Sequence, residues 1–541
     1  MESEMLSESF FPYASEVPEQ AAIEKRQGRL LIGGKIESEG FAFKPVPSPL
    51  ALRSDSGSLF FPELGQTPNI DSAGFARAVE AASQAWARGQ GEWPRARMEE
   101  RIAAVASLRD KLLPHRESVA RYLSWEIAKP LPDAFAEFDR TVTYIHDTLE
   151  AVKQLDRDSS RIHFAGGIMA QIRRVPLGVT LCIGPFNYPL NETFTTLIPA
   201  LIMGNTVVMK MPRFGQLFWD VLLEAFAESF PPGVINIVNG LGRNIIGPSV
   251  QAGKIDVLAL IGSSRTANAI KQSHPRPNSF RAVLGLDAKN PAIVLPDADL
   301  DVAVSECLKG SLSFNGQRCT ALKILFVHRS VAPEFTRRFC AGADALKAGM
   351  PWQKGVSITP LPHPGKVGEL QALIAGAVAE GAQIANPARG GKAVENLLFP
   401  TVLSNVPLKS AIAHEEQFGP VVPIVEYDSL TDLENYLLNS PYGMQASVFG
   451  QAPEAVGELI DFLSNLVCRI NLNTQCQRGP DVFPFTGRKA SAEGTLSVSD
   501  ALRCFSIRSM VAAKQDTNGK ALVRSILESD TSHFLSTNLV L

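Results

Sequence analysis

The chain has 541 residues, of which 45% are hydrophobic and 20% are charged, and its formal net charge at pH 7 is −3. That length predicts two or three domains, and that composition is typical of a globular α/β protein rather than a disordered or membrane-spanning one. The nearly neutral charge, with no basic block carrying interleaved aromatic residues, argues against a nucleic-acid partner.

The cysteines and the apolar segments both bear on location. Seven scattered cysteines without a CxxC pair, together with eight dispersed histidines, predict neither disulfides nor a metal site. The first twenty residues are acidic and lack a basic stretch followed by an apolar one, so no signal peptide is predicted. Polar residues and a proline interrupt the longest apolar stretch, 190–209, which argues against a membrane span. We therefore expect a cytoplasmic protein with no membrane partner.

In chain order, the first strong pattern is helical. Residues 71–155 show repeated 3.6-residue periodicity. From Val179 onward, short apolar runs alternate with amphipathic helices, and a second series of this kind begins near residue 323. This alternation predicts an α/β fold with two doubly wound lobes, with the helix-rich region packed against the first.

Two later segments have extended character and predict a small β element. Residues 161–174 alternate around Gly166 and Gly167, and residues 494–512 form the second segment. In a lone chain these strands would be exposed edges, so we expect them to join subunits in a homodimer or homotetramer. The residues from 514 onward match no pattern.

Cys319 is the candidate nucleophile. It lies in a polar, glycine-containing turn, FNGQRCTALK, beside Arg318, whose charge would favour the thiolate. The thiolate is the form that attacks an aldehyde carbon. An isolated cysteine is more often a small buried hydrophobic residue, so this assignment depends on the rest of the chain.

Five motifs carry a resemblance to the aldehyde dehydrogenase family. They occur in the family's order and spacing within a region that covers residues 70–512, and they are GPFNYP at 184–189, GNTVVMK at 204–210, IGSS at 261–264, GQRCT at 316–320 and EEQFGP at 415–420. The resemblance implies an active site in a cleft between two lobes. The implied parts are a cofactor-binding domain over 20–155 and 175–284, a catalytic domain over 285–488, a bridging β element that joins subunits over 156–174 and 489–512, and a tail over 513–541.

The resemblance also implies roles for individual residues. Asn187 and the backbone N–H of Cys319 would stabilise the oxyanion of the adduct, and the loss of one such donor typically costs about 3 kcal/mol. The cofactor would be held by Lys210 at the adenosine ribose, Ser263 at the pyrophosphate, and Glu416 and Phe418 at the nicotinamide. Arg213 stands where relatives that prefer NAD often carry a glutamate, and its charge would attract a 2′-phosphate. NADP is therefore expected in preference to NAD.

The motif RGPDVFPF at 478–485 closely resembles the non-phosphorylating glyceraldehyde-3-phosphate dehydrogenases. That resemblance implies a phosphorylated aldehyde as substrate, with 3-phosphoglycerate as the product of glyceraldehyde 3-phosphate. The residues that would hold the substrate phosphate are Arg140, Tyr188, Arg318 and Arg478. Several guanidinium groups meeting at one cleft suit a phosphate.

One departure from the family pattern concerns the second half of the reaction. The family carries a glutamate that activates water against the acyl-cysteine, and this chain has Gly285 there, within LGLDAK. Asp287 is a weak candidate for a displaced base. Alternatively, the acyl group passes to coenzyme A or phosphate, as in CoA-acylating semialdehyde dehydrogenases, or turnover is lost and the protein only binds nucleotide. The sequence leaves these alternatives open.

Overall fold

The first large sheet has eight strands, and the computed structural model, which describes residues 10–538, places five parallel ones side by side. The chain leaves the central strand, Val179–Ile183, in both directions. This doubly wound order creates a ligand-binding crevice at the carboxyl ends of the strands, where the winding direction reverses. From edge to edge the strands are Ala492–Glu493, Arg281–Gly285, Val257–Ile261, Val179–Ile183, Thr206–Lys210, Ile235–Val238, Leu30–Ile32 and Lys35–Glu37.

The second large sheet has seven strands, six of them parallel. Apolar clusters cover both of its faces. From edge to edge its strands are Gln383–Ile384, Thr401–Ser404, Val421–Tyr427, Leu322–His328, Asn290–Val294, Gln445–Phe449 and Arg469–Leu472. The predicted α/β class with two doubly wound lobes is confirmed.

Helices flank these sheets, and the helix-rich region before residue 160 packs against the first one. In chain order the α-helices are Ser72–Trp86, Glu92–Arg95, Met98–Leu112, Arg116–Ile127, Leu131–Ser159, Asn191–Ile202, Leu217–Asp220, Leu223–Ser229, Gly242–Gln251, Ser264–Ser273, Leu300–Leu312, Ala332–Ala345, Lys366–Ala379, Ala411–His414, Leu430–Asn439, Pro453–Leu463, Val498–Cys504 and Thr517–Ser529. Within residues 10–538, no helix is both long and apolar enough to cross a membrane.

A third sheet contains the predicted hairpin. Its strands are Ile162–Ala165, the central Ile168–Pro176, and Ser506–Lys514, and both pairings are antiparallel. The prediction of an extended segment over 494–512 is wrong in part. Residues Val498–Cys504 form a helix instead, because Val498, Ala501 and Leu502 have helical spacing and are buried.

The edge strand Ala492–Glu493, assigned by sequence to the bridging element, pairs with Arg281–Gly285 of the first sheet. The tail, for which no element was predicted, contains the helix Thr517–Ser529. The last three residues of the tail and the first nine of the chain lie outside the described residues.

The shorter strands were not predicted from sequence. Near the N-terminus, Glu63–Pro68 lies between Arg26–Gln27 and Phe43–Pro47. The remaining strands pair in twos: Leu52–Arg53 with Leu59–Phe60, Lys347–Ala348 with Val356–Ile358, Ala393–Val394 with Leu397–Leu398, and Tyr442–Gly443 with Arg488–Lys489.

Candidate active site

A cavity of about 660 Å³ lies between the two large sheets. One wall consists of the segments that follow strands Val179–Ile183, Val257–Ile261 and Arg281–Gly285 of the first sheet. The opposite wall includes the loops that precede strands Leu322–His328 and Val421–Tyr427 of the second. The cavity therefore lies where the doubly wound topology places a ligand.

Most of the residues singled out from sequence line this cavity. Those brought together there are Arg140, Asn187, Tyr188, Ser263, Gly285, Asp287, Arg318, Cys319, Glu416, Phe418 and Arg478. Lys210 and Arg213 do not line it. They lie at the end of the neighbouring strand Thr206–Lys210 and just beyond it.

The thiol of Cys319 is partly exposed and lies in the cavity wall. Burial and, to a smaller extent, the charge of Glu192 raise its pKa to about 12, although Arg478 partly opposes them. Arg318 is not among the groups with the largest effects on this pKa, and its influence on the thiolate stays a prediction. The Arg318 guanidinium turns away to the carbonyl oxygen of Gly310, at 2.8 Å, because residues adjacent in a turn need not point the same way.

Two asparagines hold the loop that carries the thiol. Asn187 donates from Nδ2 to the carbonyl oxygen of Gln317 at 2.7 Å. Its amide has a second N–H for an oxyanion. Asn290 donates to the carbonyl oxygens of Cys319 and Ala321, at 2.7 and 3.0 Å. Asn290 was not singled out from sequence, because its positioning role depends on a contact between separate segments of the chain.

The backbone just before Cys319 is strained. Phe314, Asn315 and Gly316 have consecutive φ values of 48°, 56° and 68°. Left-handed conformations at non-glycine residues cost on the order of 1–3 kcal/mol each and persist only where neighbours enforce them. Here Asn315 exchanges hydrogen bonds with the backbone of Thr359. The nucleophile loop is therefore fixed from both sides.

Gly285, which occupies the position of the family's glutamate, lines the cavity and contributes no side chain. Its φ is not in the left-handed region, so the backbone does not require glycine. A Cβ there would lie 3.2 Å from Cδ1 of Leu496 and 3.4 Å from Cγ1 of Ile261. The space next to Gly285 is therefore partly filled by apolar side chains.

Asp287 faces the cofactor side of the cavity. Its Oδ2 accepts hydrogen bonds from the backbone N–H of Ser264 at 2.8 Å and from the Ser264 hydroxyl at 2.5 Å. These donors belong to the first residue of the helix Ser264–Ser273, which Ser263 caps through a bond from the Thr266 N–H. Because its carboxylate is held by that helix, Asp287 is poorly placed to serve Cys319. The hypothesis that it is the base remains a prediction.

Three cationic side chains lie near one another where the cofactor is predicted to bind, and they are Lys44, Lys210 and Arg213. Burial together with the charges of Lys44 and Arg213 lowers the pKa of Lys210 to about 8. Burial and Arg213 likewise lower the pKa of Lys44. Within the described range, none of the three forms an ion pair with a carboxylate. An uncompensated cation cluster fits a phosphate group. Lys44 was missed because nothing in the N-terminal sequence places it beside Lys210.

The part of the cavity that is predicted to hold the nicotinamide contains one buried carboxyl group, that of Glu416. Burial raises the pKa of Glu416, while Lys323 lowers it through an ion pair at 3.3 Å. The ring of Phe418 lies over the Lys323 ammonium, at 4.5 Å from nitrogen to centroid. Glu416 and Phe418 are therefore both positioned through Lys323, which sequence reasoning did not identify.

The substrate side contains two carboxylates that were also missed. Asp481 accepts two bonds from Arg140, at 2.9 and 2.8 Å, and one from Arg478 at 3.1 Å. Glu192 lines the cavity, is buried, and forms an ion pair with Arg478. The three arginines of the predicted phosphate site and these two carboxylates together carry a net charge of +1. No local motif marks such pairs, because their partners are far apart in sequence.

The chain is similar to known proteins over most of its length. The profile described as "Aldehyde dehydrogenase family" matches residues 62–511. The NADP-dependent glyceraldehyde-3-phosphate dehydrogenase of Streptococcus equinus is 32% identical over 463 residues, which cover 84% of this chain and 92% of that protein. Retinaldehyde dehydrogenase 3 of Homo sapiens is also 32% identical, over 80% of this chain and 83% of its own length.

A crystal structure of NADP-dependent glyceraldehyde-3-phosphate dehydrogenase from Bacillus halodurans C-125, complexed with NADP, superimposes with a TM-score of 0.82 and 30% identity. It covers 91% of this chain and all of that one. The chain therefore belongs to the aldehyde dehydrogenase family, a family of aldehyde-oxidising enzymes, and the resemblance inferred from the five motifs is confirmed. In the part of the chain that is described, no three His, Cys, Asp or Glu side chains are grouped to hold a metal ion.

The charge environment of the thiol predicts its reactivity. Because the pKa of Cys319 is raised to about 12, the thiolate fraction should grow about tenfold per pH unit from pH 7 to 9. Glu192→Gln removes a charge that raises this pKa, so alkylation at a fixed pH should be several-fold faster. Iodoacetamide labelling of the Cys319 peptide, measured by mass spectrometry, checks both expectations.

Glu369→Gln is the matched control, since Glu369 lines the same cavity but is not among the groups with the largest effects on the thiol. A labelling rate that levels off below pH 8.5, or equal rates in the Glu192 variant and the wild type, would contradict this electrostatic account.

Proposed function

We propose that this protein oxidises a small phosphorylated aldehyde with NADP, and that glyceraldehyde 3-phosphate, giving 3-phosphoglycerate, is its substrate. The observation that carries the proposal is one cavity in which Cys319 shares the walls with Arg140, Arg318 and Arg478. The similarity to NADP-dependent glyceraldehyde-3-phosphate dehydrogenases supports it. The equal identity to a retinaldehyde dehydrogenase means that the arginines, rather than overall identity, bear on the choice of substrate.

The chain's own groups account for the first half of the reaction. Cys319 loses its proton and adds to the aldehyde carbon, forming a carbon–sulfur bond. The negative charge that develops on the carbonyl oxygen is stabilised by the free N–H of Asn187 and the backbone N–H of Cys319. The bound nicotinamide supplies the acceptor for the hydride. What remains on Cys319 is a thioester.

The residues on the cofactor side fit NADP. Lys44, Lys210 and Arg213 would hold the adenosine ribose and its 2′-phosphate, since their mutual repulsion is relieved by a bound dianion. Ser263 stands at the N-terminus of a helix, where pyrophosphate is favoured. Glu416 and Phe418 would hold the nicotinamide ribose and ring.

A comparison of substrates tests the proposed function. With wild-type protein and NADP, kcat/KM should be at least tenfold higher for D-glyceraldehyde 3-phosphate than for D-glyceraldehyde, because one phosphate contact is worth about 1.5–3 kcal/mol. NADPH absorbance gives the rates, and Cys319→Ser, which should be inactive, is the control. Equal values for the two aldehydes would reject the phosphorylated substrate.

A single substitution tests the cofactor assignment. Arg213→Ala should lower kcat/KM for NADP by about tenfold to a hundredfold and leave the value for NAD nearly unchanged, since only NADP carries the 2′-phosphate. Arg524→Ala, on the exposed helix Thr517–Ser529, is the control. If Arg213→Ala affects both cofactors equally, Arg213 does not read the 2′-phosphate.

For the second half of the reaction, we propose that Glu192 takes the place of the missing glutamate and activates water against the thioester. It lines the same cavity as Cys319, and its charge has the largest effect of any on the thiol. Burial raises the pKa of Glu192, whereas its ion pair with Arg478 opposes this and favours the charged form that a base needs. The carboxylate of Asp287, by contrast, accepts hydrogen bonds from Ser264.

Glu192→Gln should lower steady-state turnover by about 10²- to 10⁴-fold, the usual loss when a general base is removed, while the first turnover persists. Stopped-flow NADPH absorbance separates the two phases. Asp287→Asn is the parallel variant and should retain steady-state turnover. If this variant stops after the first turnover and Glu192→Gln does not, Asp287 is the base.

Two further outcomes would reject the proposal that Glu192 activates water against the thioester. If wild-type turnover requires added coenzyme A or phosphate, the acyl group leaves by another acceptor. If no NADPH forms at any protein concentration, the protein binds nucleotide without catalysis.

We also propose a homodimer or homotetramer in the cytoplasm, with a small metabolite rather than nucleic acid or membrane as partner. Large apolar side chains are exposed on the third sheet, on its hairpin strands and its long edge strand. They are Phe164, Ile168, Ile507, Met510 and Val511. An exposed apolar sheet of this kind suits contact with a second subunit.

A further inference from the structure

A second cavity, of about 440 Å³, lies where the helix-rich region, the third sheet and the C-terminal segment meet. None of its lining residues lines the cavity around Cys319. Its walls carry five arginines and one carboxylate: Arg95, Arg97, Arg101, Arg173, Arg174 and Asp156. Such an excess of positive charge lining a cleft favours an anionic ligand.

Arg101 is the central feature of this cavity. The residue is 7% exposed, and its Nε and Nη1 atoms are buried without a hydrogen-bond partner among the described residues. Burial lowers the pKa of Arg101 to about 10, although the charges of Asp156 and Glu100 partly oppose it. A buried cation normally has a counter-ion, because its desolvation is otherwise uncompensated.

The backbone next to Arg101 leaves room for its guanidinium. A Cβ on Gly204 would lie 2.5 Å from Nη1 of Arg101, and Gly204 has a φ of +93°. A side chain at that position would therefore displace the guanidinium. The structure holds this cation at the cavity wall although the described residues provide no partner for Nη1.

The other arginines are only partly neutralised. Arg173 pairs with Asp156 at 2.7 Å, and Arg97 pairs with Asp530 at 2.9 Å. Arg174 donates to the hydroxyl of Ser506 at 3.0 Å, and both burial and the neighbouring arginines lower its pKa. No carboxylate within residues 10–538 pairs with the Arg95 guanidinium. Only two of the five guanidiniums form an ion pair with a described carboxylate, so positive charge remains in excess at this cavity.

The C-terminal segment forms the remaining wall through Thr531, Ser532, His533 and Phe534. The His533 ring is 3.0 Å from the carbonyl oxygen of Arg95. The carbonyl oxygen of Ser536 accepts bonds from Arg173 and Gln171. The tail that matched no sequence pattern thus completes this cavity.

We propose that this second cavity binds a small anion bearing a phosphate dianion, held by Arg101 and Arg95. Guanidinium groups present paired N–H donors that match phosphate oxygens. The volume lies within the range of small-molecule sites. The proposal is independent of the reaction at Cys319.

Isothermal titration calorimetry with inorganic phosphate and with glycerol 3-phosphate tests the proposal, using sodium chloride at matched ionic strength as the control. Wild-type protein should bind at least one of the two probes, and which one it binds identifies free phosphate or a phosphate ester as the ligand. Arg101→Met should weaken that binding at least tenfold. It should also raise the temperature of unfolding in the absence of phosphate, because a buried unpaired cation is replaced by an apolar side chain of similar length.

Arg95→Ala provides a second variant on the cavity wall and should also weaken binding. Arg140→Ala, in the cavity around Cys319, should retain the binding that Arg101→Met loses. The proposal is overturned if neither probe binds, if chloride reproduces the heat, or if affinity falls in the Arg140 variant and not in the variants of the second cavity.

Discussion

Charges buried in the cleft between the two sheets must be balanced by other buried charges, and the rest of the active site depends on that balance. Asp481 joins Arg140 to Arg478, and Arg478 also pairs with Glu192. Breaking such a buried pair is strongly destabilising, because it leaves an uncompensated charge. The phosphate of the substrate that we propose would therefore meet arginines that are already oriented and carry a small net positive charge. This arrangement positions the guanidiniums firmly while limiting how tightly they hold an anion.

The same balance governs the nucleophile. The wall that buries Cys319 disfavours its thiolate, and Glu192 adds to that effect. A thiol held protonated in the free enzyme is protected from adventitious oxidation and alkylation. In the reaction we propose, the oxidised nicotinamide would bring a positive charge into the cleft, and a cationic group near the thiol favours the thiolate. Glu192 thus connects substrate binding, nucleophile activation and, in our account, deacylation.

Much of the architecture was predictable from sequence, because its signals are local. The strand Val179–Ile183 and its parallel neighbours are short apolar runs between amphipathic helices, and the site residues follow strand ends. Helix Val498–Cys504 was mistaken for extended chain, since short segments carry weak periodicity. Helix Thr517–Ser529 was not predicted at all.

What the sequence could not predict are contacts between distant segments. Lys44 reaches Lys210 from the N-terminal sheet, and Glu192 meets Arg478 across 286 positions. Arg318 is next to Cys319 in sequence, yet its guanidinium donates to the carbonyl oxygen of Gly310, a contact that the sequence does not reveal. Electrostatic roles of this kind depend on which side chains the fold brings together. The family motifs therefore predict where the cleft lies, but they do not predict which charged groups surround the thiol.

The most direct test of the central claim is the mass of the protein during turnover. Wild-type and Glu192→Gln proteins are mixed with NADP and D-glyceraldehyde 3-phosphate, quenched in acid within seconds, and examined by intact-mass and peptide mass spectrometry. The account predicts that the variant accumulates about one phosphoglyceroyl group per chain on the Cys319 peptide, while the wild type carries little. Equal low acylation in both proteins, or acylation at another cysteine, would contradict it.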